Sequence, residues 1–243
     1  MSEPARPTFL YYGHSTVGVR TGDGRFVMID PWVEGNPMCP ESLHEIEKID
    51  AMLITHAHMD HMGDAVALAK RHSPKKVVAS YEVCAWLESK GVGNLAPMGL
   101  GGAQQVLGLE VTMVRADHSS GLIETDGANI LDGGSASGYC VRTSEGFSFY
   151  HAGDTAVFSD MKLIADLYTP SLGFLPIGDL FTMGPRTAAL ACEFLGLSRV
   201  VPIHFGTFPV LTGTVDAFRD EVAARAVECQ VVALEPGESL AAS

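Results

Sequence analysis

Basic residues are scarce in this chain: 16 Lys and Arg stand against 29 Asp and Glu over 243 residues, a formal net charge of −13. Phosphate backbones and anionic membranes are bound by clustered Lys and Arg. A nucleic acid or a membrane surface is therefore not an expected partner, whereas a small anionic substrate stays allowed if a metal adds local positive charge. Cysteine is equally sparse. Cys39, Cys84, Cys140, Cys192 and Cys229 form an odd, scattered set without a Cys-x-x-Cys pair, which argues against a disulfide framework. They read as buried free thiols in a reducing compartment, and so as a cytoplasmic protein. No apolar run reaches the length of a membrane span, and Met1 to Pro7 lacks the apolar segment of a signal peptide. Phosphate-loop spacing is missing around Gly99, Gly101 and Gly102. The run Gly133-Gly134-Ser135-Ala136-Ser137-Gly138 fails the spacing of a nucleophile elbow and precedes a strand, so it reads as turn. No internal repeat, low-complexity tract or linker divides the sequence, and residues 1–243 are expected to form a single domain.

Apolar material is ample, at 47% of residues. Thr8 to Tyr12, Val17 to Arg20 and Phe26 to Ile29 are short β-type runs, the last two joined by Gly22-Asp23-Gly24, and they predict an antiparallel meander. Beyond the apolar run Ala51 to Ile54, the pattern changes to strand–helix alternation. Helices are predicted over Asp64 to Arg71 (Asp64 as N-cap), Tyr81 to Lys90, Met161 to Tyr168, Pro185 to Leu195 and Val215 to Val227. Strands are predicted over Lys76 to Ala79, Leu109 to Val114, Tyr139 to Arg142, Phe147 to Tyr150, Leu172 to Pro176, Arg199 to Pro202 and Gln230 to Leu234. A β-then-βα pattern thus occurs twice, as two stacked sheet-and-helix halves would give. Val33 to Leu43, Ser119 to Ser137 and Ile177 to Gly184 read as loops that shape a pocket.

Histidine is rare, nine in the chain, yet three fall with an aspartate inside His56-Ala57-His58-Met59-Asp60-His61, directly after the apolar run. Alternate residues of an extended segment point the same way, so His56 and His58 can share one metal. A sharp turn must follow for Asp60 and His61 to face a second. Imidazole nitrogen with carboxylate oxygen suits zinc, iron or manganese. His14, in Gly13-His14-Ser15, reads equally as a turn histidine or a pocket residue. His44 and His72 read as surface residues.

A His-x-His-x-Asp-His run after a strand resembles the signature of the metallo-β-lactamase-fold hydrolases. The resemblance covers nearly the whole chain. It implies an α+β, four-layer αββα sandwich that holds two divalent metal ions, zinc first, with manganese, iron or nickel as alternatives. Carried over by position, His56, His58 and His118 hold one metal. Asp60, His61 and His204 hold the other, and Asp154 in Gly153-Asp154-Thr155 bridges. Asp30 is placed behind the ligands, orienting a histidine. The residues alone leave His151 as a residue behind the ligands, a substrate contact or a strand residue facing the core. His14, Asp30 and His151 thus stand as supporting or substrate residues.

The chemistry implied is cleavage of a small-molecule ester, lactone or amide by a metal-bridging hydroxide, with Asp60 or Asp154 shuttling a proton. Within the superfamily the local motifs look most like bacterial metal-dependent hydrolases similar to ascorbate-6-phosphate lactonase. A phosphodiesterase for a small or cyclic phosphodiester is the alternative. A diiron protein reducing oxygen or nitric oxide fits less well, since such relatives usually continue into a flavin domain and often carry Glu where this chain has His58. A non-catalytic binding protein would survive His58→Ala. The expected partner is a small-molecule substrate, and a homo-oligomer is compatible with the sequence.

Overall fold

β-Branched and aromatic runs bounded by Gly, Pro, Asn and Asp set the strands, and amphipathic runs between them set the helices. The computed structural model describes residues 6–123 and 129–242. Residues 1–5 of the leading segment, and 124–128 of the stretch read as a loop from Ser119 to Ser137, lie outside the described residues. In chain order the elements are β1 (Thr8–Gly13), β2 (Thr16–Arg20), β3 (Phe26–Ile29), β4 (Ala51–Leu53), α1 (Met59–Met62), α2 (Ala65–His72), β5 (Lys76–Ser80), α3 (Tyr81–Ser89), β6 (Leu95–Met98), β7 (Ala103–Val106) and β8 (Leu109–Arg115). They continue as β9 (Gly121–Ile123), β10 (Ile130–Asp132), β11 (Ser137–Arg142), β12 (Ser148–His151), α4 (Met161–Tyr168), β13 (Leu172–Pro176), α5 (Pro185–Leu195), β14 (Arg199–Ile203), α6 (Val215–Ala224), β15 (Gln230–Val231) and β16 (Ser239–Ala241). Among the described residues no helix is long and apolar enough to cross a membrane.

The chain divides into two compact units. The first comprises Met1–Leu100, Ser119–Ala136 and Glu235–Ser243. Its seven-stranded sheet runs β16-β1-β2-β3-β4-β5-β6, antiparallel from β16 to β3 and parallel from β3 to β6. Alternate strand residues Met28, Met52 and Val77 pack with Leu68 of α2 and Val83 and Leu87 of α3 in one buried cluster. Their neighbours Val27, Ala51, Leu53 and Val78 are buried too, as befits central strands shielded on both faces. Asp50, at the foot of β4, accepts from the Phe26 N–H at 3.0 Å and lies 2.6 Å from the Lys48 ammonium.

The second unit comprises Gly101–His118 and Ser137–Leu234. Its seven-stranded sheet, β15-β14-β13-β12-β11-β8-β7, repeats the plan: antiparallel from β7 to β12, parallel from β12 to β15. Phe218 of α6, Ala188 and Cys192 of α5, Ile164 of α4 and Leu175 of β13 belong to one buried cluster.

Several elements depart from the sequence reading. Asp64 does not cap α2 with its side chain. Its carboxylate instead accepts the backbone N–H groups of Val33, Glu34 and Gly35 at 2.6, 2.8 and 3.3 Å, fixing the loop after Trp32. The stretch from Ser119 to Ser137 is not all loop, since β9 and β10 pair antiparallel within it. α6 ends at Ala224 rather than Val227, because Ala226 turns left-handed at φ +52°. β15 is only two residues long, and β16, whose residues lack a clear alternation, pairs with β1.

Phe218 is fully buried. Phe218→Ala is expected to lower the unfolding free energy by about 3–5 kcal/mol in urea melts. Burial would push the Asp50 carboxyl up, but hydrogen bonds from Lys48 and the Phe26 N–H, with the charges of Lys48 and Lys75, outweigh it and hold its pKa below the usual value. A carboxyl depressed on folding contributes stability above its unfolded pKa and loses it as pH falls through the folded one. Urea midpoints measured from pH 6 downward should therefore fall less steeply in Asp50→Asn than in wild type, below about pH 4.

Candidate metal centre

In the first unit the chemistry gathers at the carboxyl ends of strands, where ligands of α/β sheets are commonly held. β4 ends at Leu53, the chain bends at Ala57, and His58, the residue preceding α1, is extended. Because α1 starts at Met59, Asp60 and His61 sit on a single helical turn rather than on a continued strand. That short helix is the sharp turn the motif demanded.

Asp30 organises this turn. It follows β3, is fully buried and sits left-handed at φ +51°. Its carboxylate accepts the Thr55 N–H at 2.8 Å, the Thr55 hydroxyl at 2.8 Å and the His61 Nδ1–H at 2.8 Å. Thr16 donates its hydroxyl to the Asp30 carbonyl at 2.6 Å. With Nδ1 committed to Asp30, His61 can bond a metal only through Nε2. The single Thr55 proton goes to Asp30, so the Thr55 oxygen accepts from His56 Nδ1, 3.0 Å away. His56 therefore also turns a lone pair outward at Nε2. That atom lies 3.0 Å from His58 Nδ1, close to the roughly 3.3 Å that two nitrogens spread over a tetrahedral metal at about 2.0–2.1 Å would show. Ser120 accepts the Ala57 N–H at 3.1 Å and donates to the Gly133 carbonyl at 3.2 Å, anchoring the loop from behind. His14 is fully buried, with Nε2 at 3.1 Å from Asp60 Oδ2.

In the second unit, His118 follows β8, Asp154 follows β12 and His204 follows β14. Asp154 Oδ2 lies 3.0 Å from His204 Nε2 and 3.6 Å from His118 Nε2. The carboxylate thus stands between the two imidazoles, and it is almost wholly buried. The Asp117 N–H donates to the Thr155 hydroxyl at 2.9 Å and the Ala156 N–H to the Asp117 carbonyl at 3.1 Å, which ties the His118 and Asp154 loops together. His151, fully buried and stacked near Phe174, accepts the Gly153 N–H on Nδ1 at 3.2 Å. It sets the turn before Asp154 and shows no exposed surface to a substrate. His204 is left-handed at φ +54°. A methyl on Gly178 would overlap the His204 carbonyl, and one on Gly213 the Ile177 carbonyl, so these two glycines let the loops after β13 and β14 close on each other.

The sequence reading named every histidine and aspartate in these two groups. It assigned no role to Thr55, Ser120, Thr16 or Thr155. A lone threonine or serine at a strand end carries no spacing signal, and its partner is settled only by tertiary pairing. His44 bonds the Cys39 carbonyl at 3.3 Å, and His72 closes α2.

These residues fit a metal. Buried imidazoles have one ring nitrogen held by an acceptor, which is how metal-ligating histidines are oriented, and the remaining donors are nitrogen and carboxylate oxygen. Cys39, Cys84 and Cys140 fit poorly as nucleophiles, because burial pushes Cys39 and Cys84 up to about 11 and Cys140 higher still, leaving little thiolate near neutrality. Thr55→Val cuts the link between Asp30 and His56 while leaving His61 bonded. It should weaken metal binding about 10–100-fold, measured by competition with a chromophoric chelator. Asp30→Asn, which disturbs both histidines, should cost at least as much and also lower the melting temperature.

Residues 25–205 match the β-lactamase superfamily domain. The chain is 50% identical over 229 residues to a UPF0173 metal-dependent hydrolase of Koribacter versatilis, covering 94% of this chain and 95% of that protein. It is 48% identical over 228 residues to one of Solibacter usitatus, covering 94% and 96%. Among solved structures it is similar to Igni18, a metallo hydrolase from the archaeon Ignicoccus hospitalis, with a TM-score of 0.86, 33% identity and 98% of each chain covered. The α+β fold with two mixed sheets is the one expected from the metal motif. The chain belongs to the metallo-β-lactamase superfamily, among its UPF0173 metal-dependent hydrolases.

Proposed function

We propose that the two half-sets of donors close on one pair of divalent cations and that the enzyme hydrolyses a small-molecule ester, lactone or amide. The observation that carries this reading is the Asp30–Thr55–His56 and Asp30–His61 network, which commits two buried imidazoles to present Nε2 outward. In this assignment His56, His58 and His118 hold the first position. Asp60, His61 and His204 hold the second, and Asp154 bridges. Zinc suits the donors best, and manganese, iron or nickel are accepted by the same set. When bound, such cations supply Lewis acidity and lower the pKa of bound water to about 7.

The chain's own residues do the rest. Asp154, with its side chain 3% exposed, is sealed from solvent and acts through its charge. Asp60, with its side chain 23% exposed, reaches water and is the group to pass a proton to the leaving group. Leu180 and Phe181 in the loop after β13, and Val210 in the loop after β14, are exposed apolar residues near His204 in sequence or through the Gly178 contact. With a net charge of −13, they favour a substrate with an apolar portion over a polyanion. A lactone is one member of that class.

The test is a panel of lactones, p-nitrophenyl esters, anilides and bis-p-nitrophenyl phosphate, run on protein reloaded separately with zinc, manganese, iron and nickel. Turnover of a carbonyl substrate, lost at least 100-fold on chelation and restored by metal, is expected. His58→Ala should lose a comparable factor. Turnover of the phosphodiester alone would replace the proposal with a phosphodiesterase.

A further inference from the structure

His14 occupies a turn built for it. Gly13 before it is left-handed at φ +99°, and His14 itself stands at φ +55°, where the β1–β2 register shifts between Tyr11 and Gly13. The Tyr11 hydroxyl donates to the His14 carbonyl at 3.0 Å. A histidine held left-handed is in a strained backbone conformation of the kind that clusters at functional sites. The ring packs edge-on against Trp32 at 5.2 Å and His61 at 5.6 Å. Its Nε2 is 3.1 Å from Asp60 Oδ2, and the ligand atoms of His14, Asp60 and His61 all lie within 4.8 Å of one another.

Asp30 and Asp60 differ in what they do for their histidines. Asp30 is fully buried and takes the far nitrogen of His61, leaving the near one for a metal. Asp60 carries 23% exposure on its side chain and is itself a ligand in the reading above. It meets the Nε2 of His14, the nitrogen at the tip of the ring. Two atoms that share a cation at about 2.0–2.2 Å sit roughly 3.0–3.4 Å apart, which is the separation found here.

We propose that His14 is a direct ligand of the second metal, so that the first unit alone presents a His14–Asp60–His61 donor set. This rests on the two-metal reading above. It adds an imidazole to the second position and predicts that this position is filled before the second unit's His204 is needed.

The wild-type protein is loaded with Co(II), and the hyperfine-shifted exchangeable imidazole N–H signals are counted by 1H NMR. His14 is expected to add one signal to the five from His56, His58, His61, His118 and His204. His14→Asn keeps a residue that tolerates the left-handed backbone but removes the ring. It should lose that signal and bind the second metal at least 100-fold more weakly, by elemental analysis and chelator competition, while keeping the first metal. His14→Gln, which retains a donor for Asp60, should behave like His14→Asn. His204→Ala should keep more second-site affinity than His14→Asn. The proposal is overturned if wild type shows only five signals, or if His14→Gln binds the second metal as wild type does; His14 would then only orient Asp60. If wild-type protein takes up no transition metal, the two-metal reading itself falls, an outcome distinct from loss of one signal.

Discussion

A buried carboxylate facing three hydrogen-bond donors is the interaction on which the first half of the site depends. Asp30 is out of contact with solvent, and a buried charge is tolerated only when it is fully bonded or paired. Its bonds to Thr55 and His61 meet that requirement and, in the same stroke, decide which nitrogen of each histidine looks outward. Through Thr55 the effect reaches His56, so one side chain sets the tautomers of two candidate ligands. The Thr16 hydroxyl and the β3–β4 pairing hold Asp30 from the other side. The strand order of the sheet is thereby coupled to the direction of a lone pair.

The second unit reaches a similar end by different means. Asp154 is flanked by His118 and His204, and the loops carrying these residues are joined by backbone bonds and by glycine-permitted contacts. Here the backbone does the positioning, where in the first unit a side-chain network does it. Both units nonetheless place their chemistry after strands of the same plan, with an antiparallel block leading into a parallel one.

Much of this was legible in the residue order. His56, His58, Asp60 and His61 are dense enough to announce themselves, and α4, β13 and α5 have the bounds their periodicity and flanking Pro and Gly predict. What was not legible depends on pairing at a distance. Asp64 has the look of a helix cap, yet three amides of the 33–35 loop outcompete the helix for its carboxylate. β16 is short and weakly patterned, and only the presence of β1 beside it makes it a strand. Thr55 is a β-former at the end of a β-run, so nothing local separates its structural role from its part in orienting His56. His14 was read two ways because a lone histidine in a turn has no spacing partner, and Asp60 lies 46 positions away.

His14, Asp30 and His204 share one further trait, a backbone in the left-handed region. Glycine adopts that conformation most readily, and asparagine, aspartate and histidine do so more often than other side chains, yet glycine and asparagine bring neither an imidazole nor a carboxylate. At these three positions the easiest backbone choice and the required chemistry point to different amino acids. Under random mutagenesis they form a trap: a change that relieves the chain deletes the donor, and a change that keeps a donor must bear the same strain. A sequence drifting away from metal chemistry would gain stability at these three positions first, and the loss would be hard to reverse one substitution at a time.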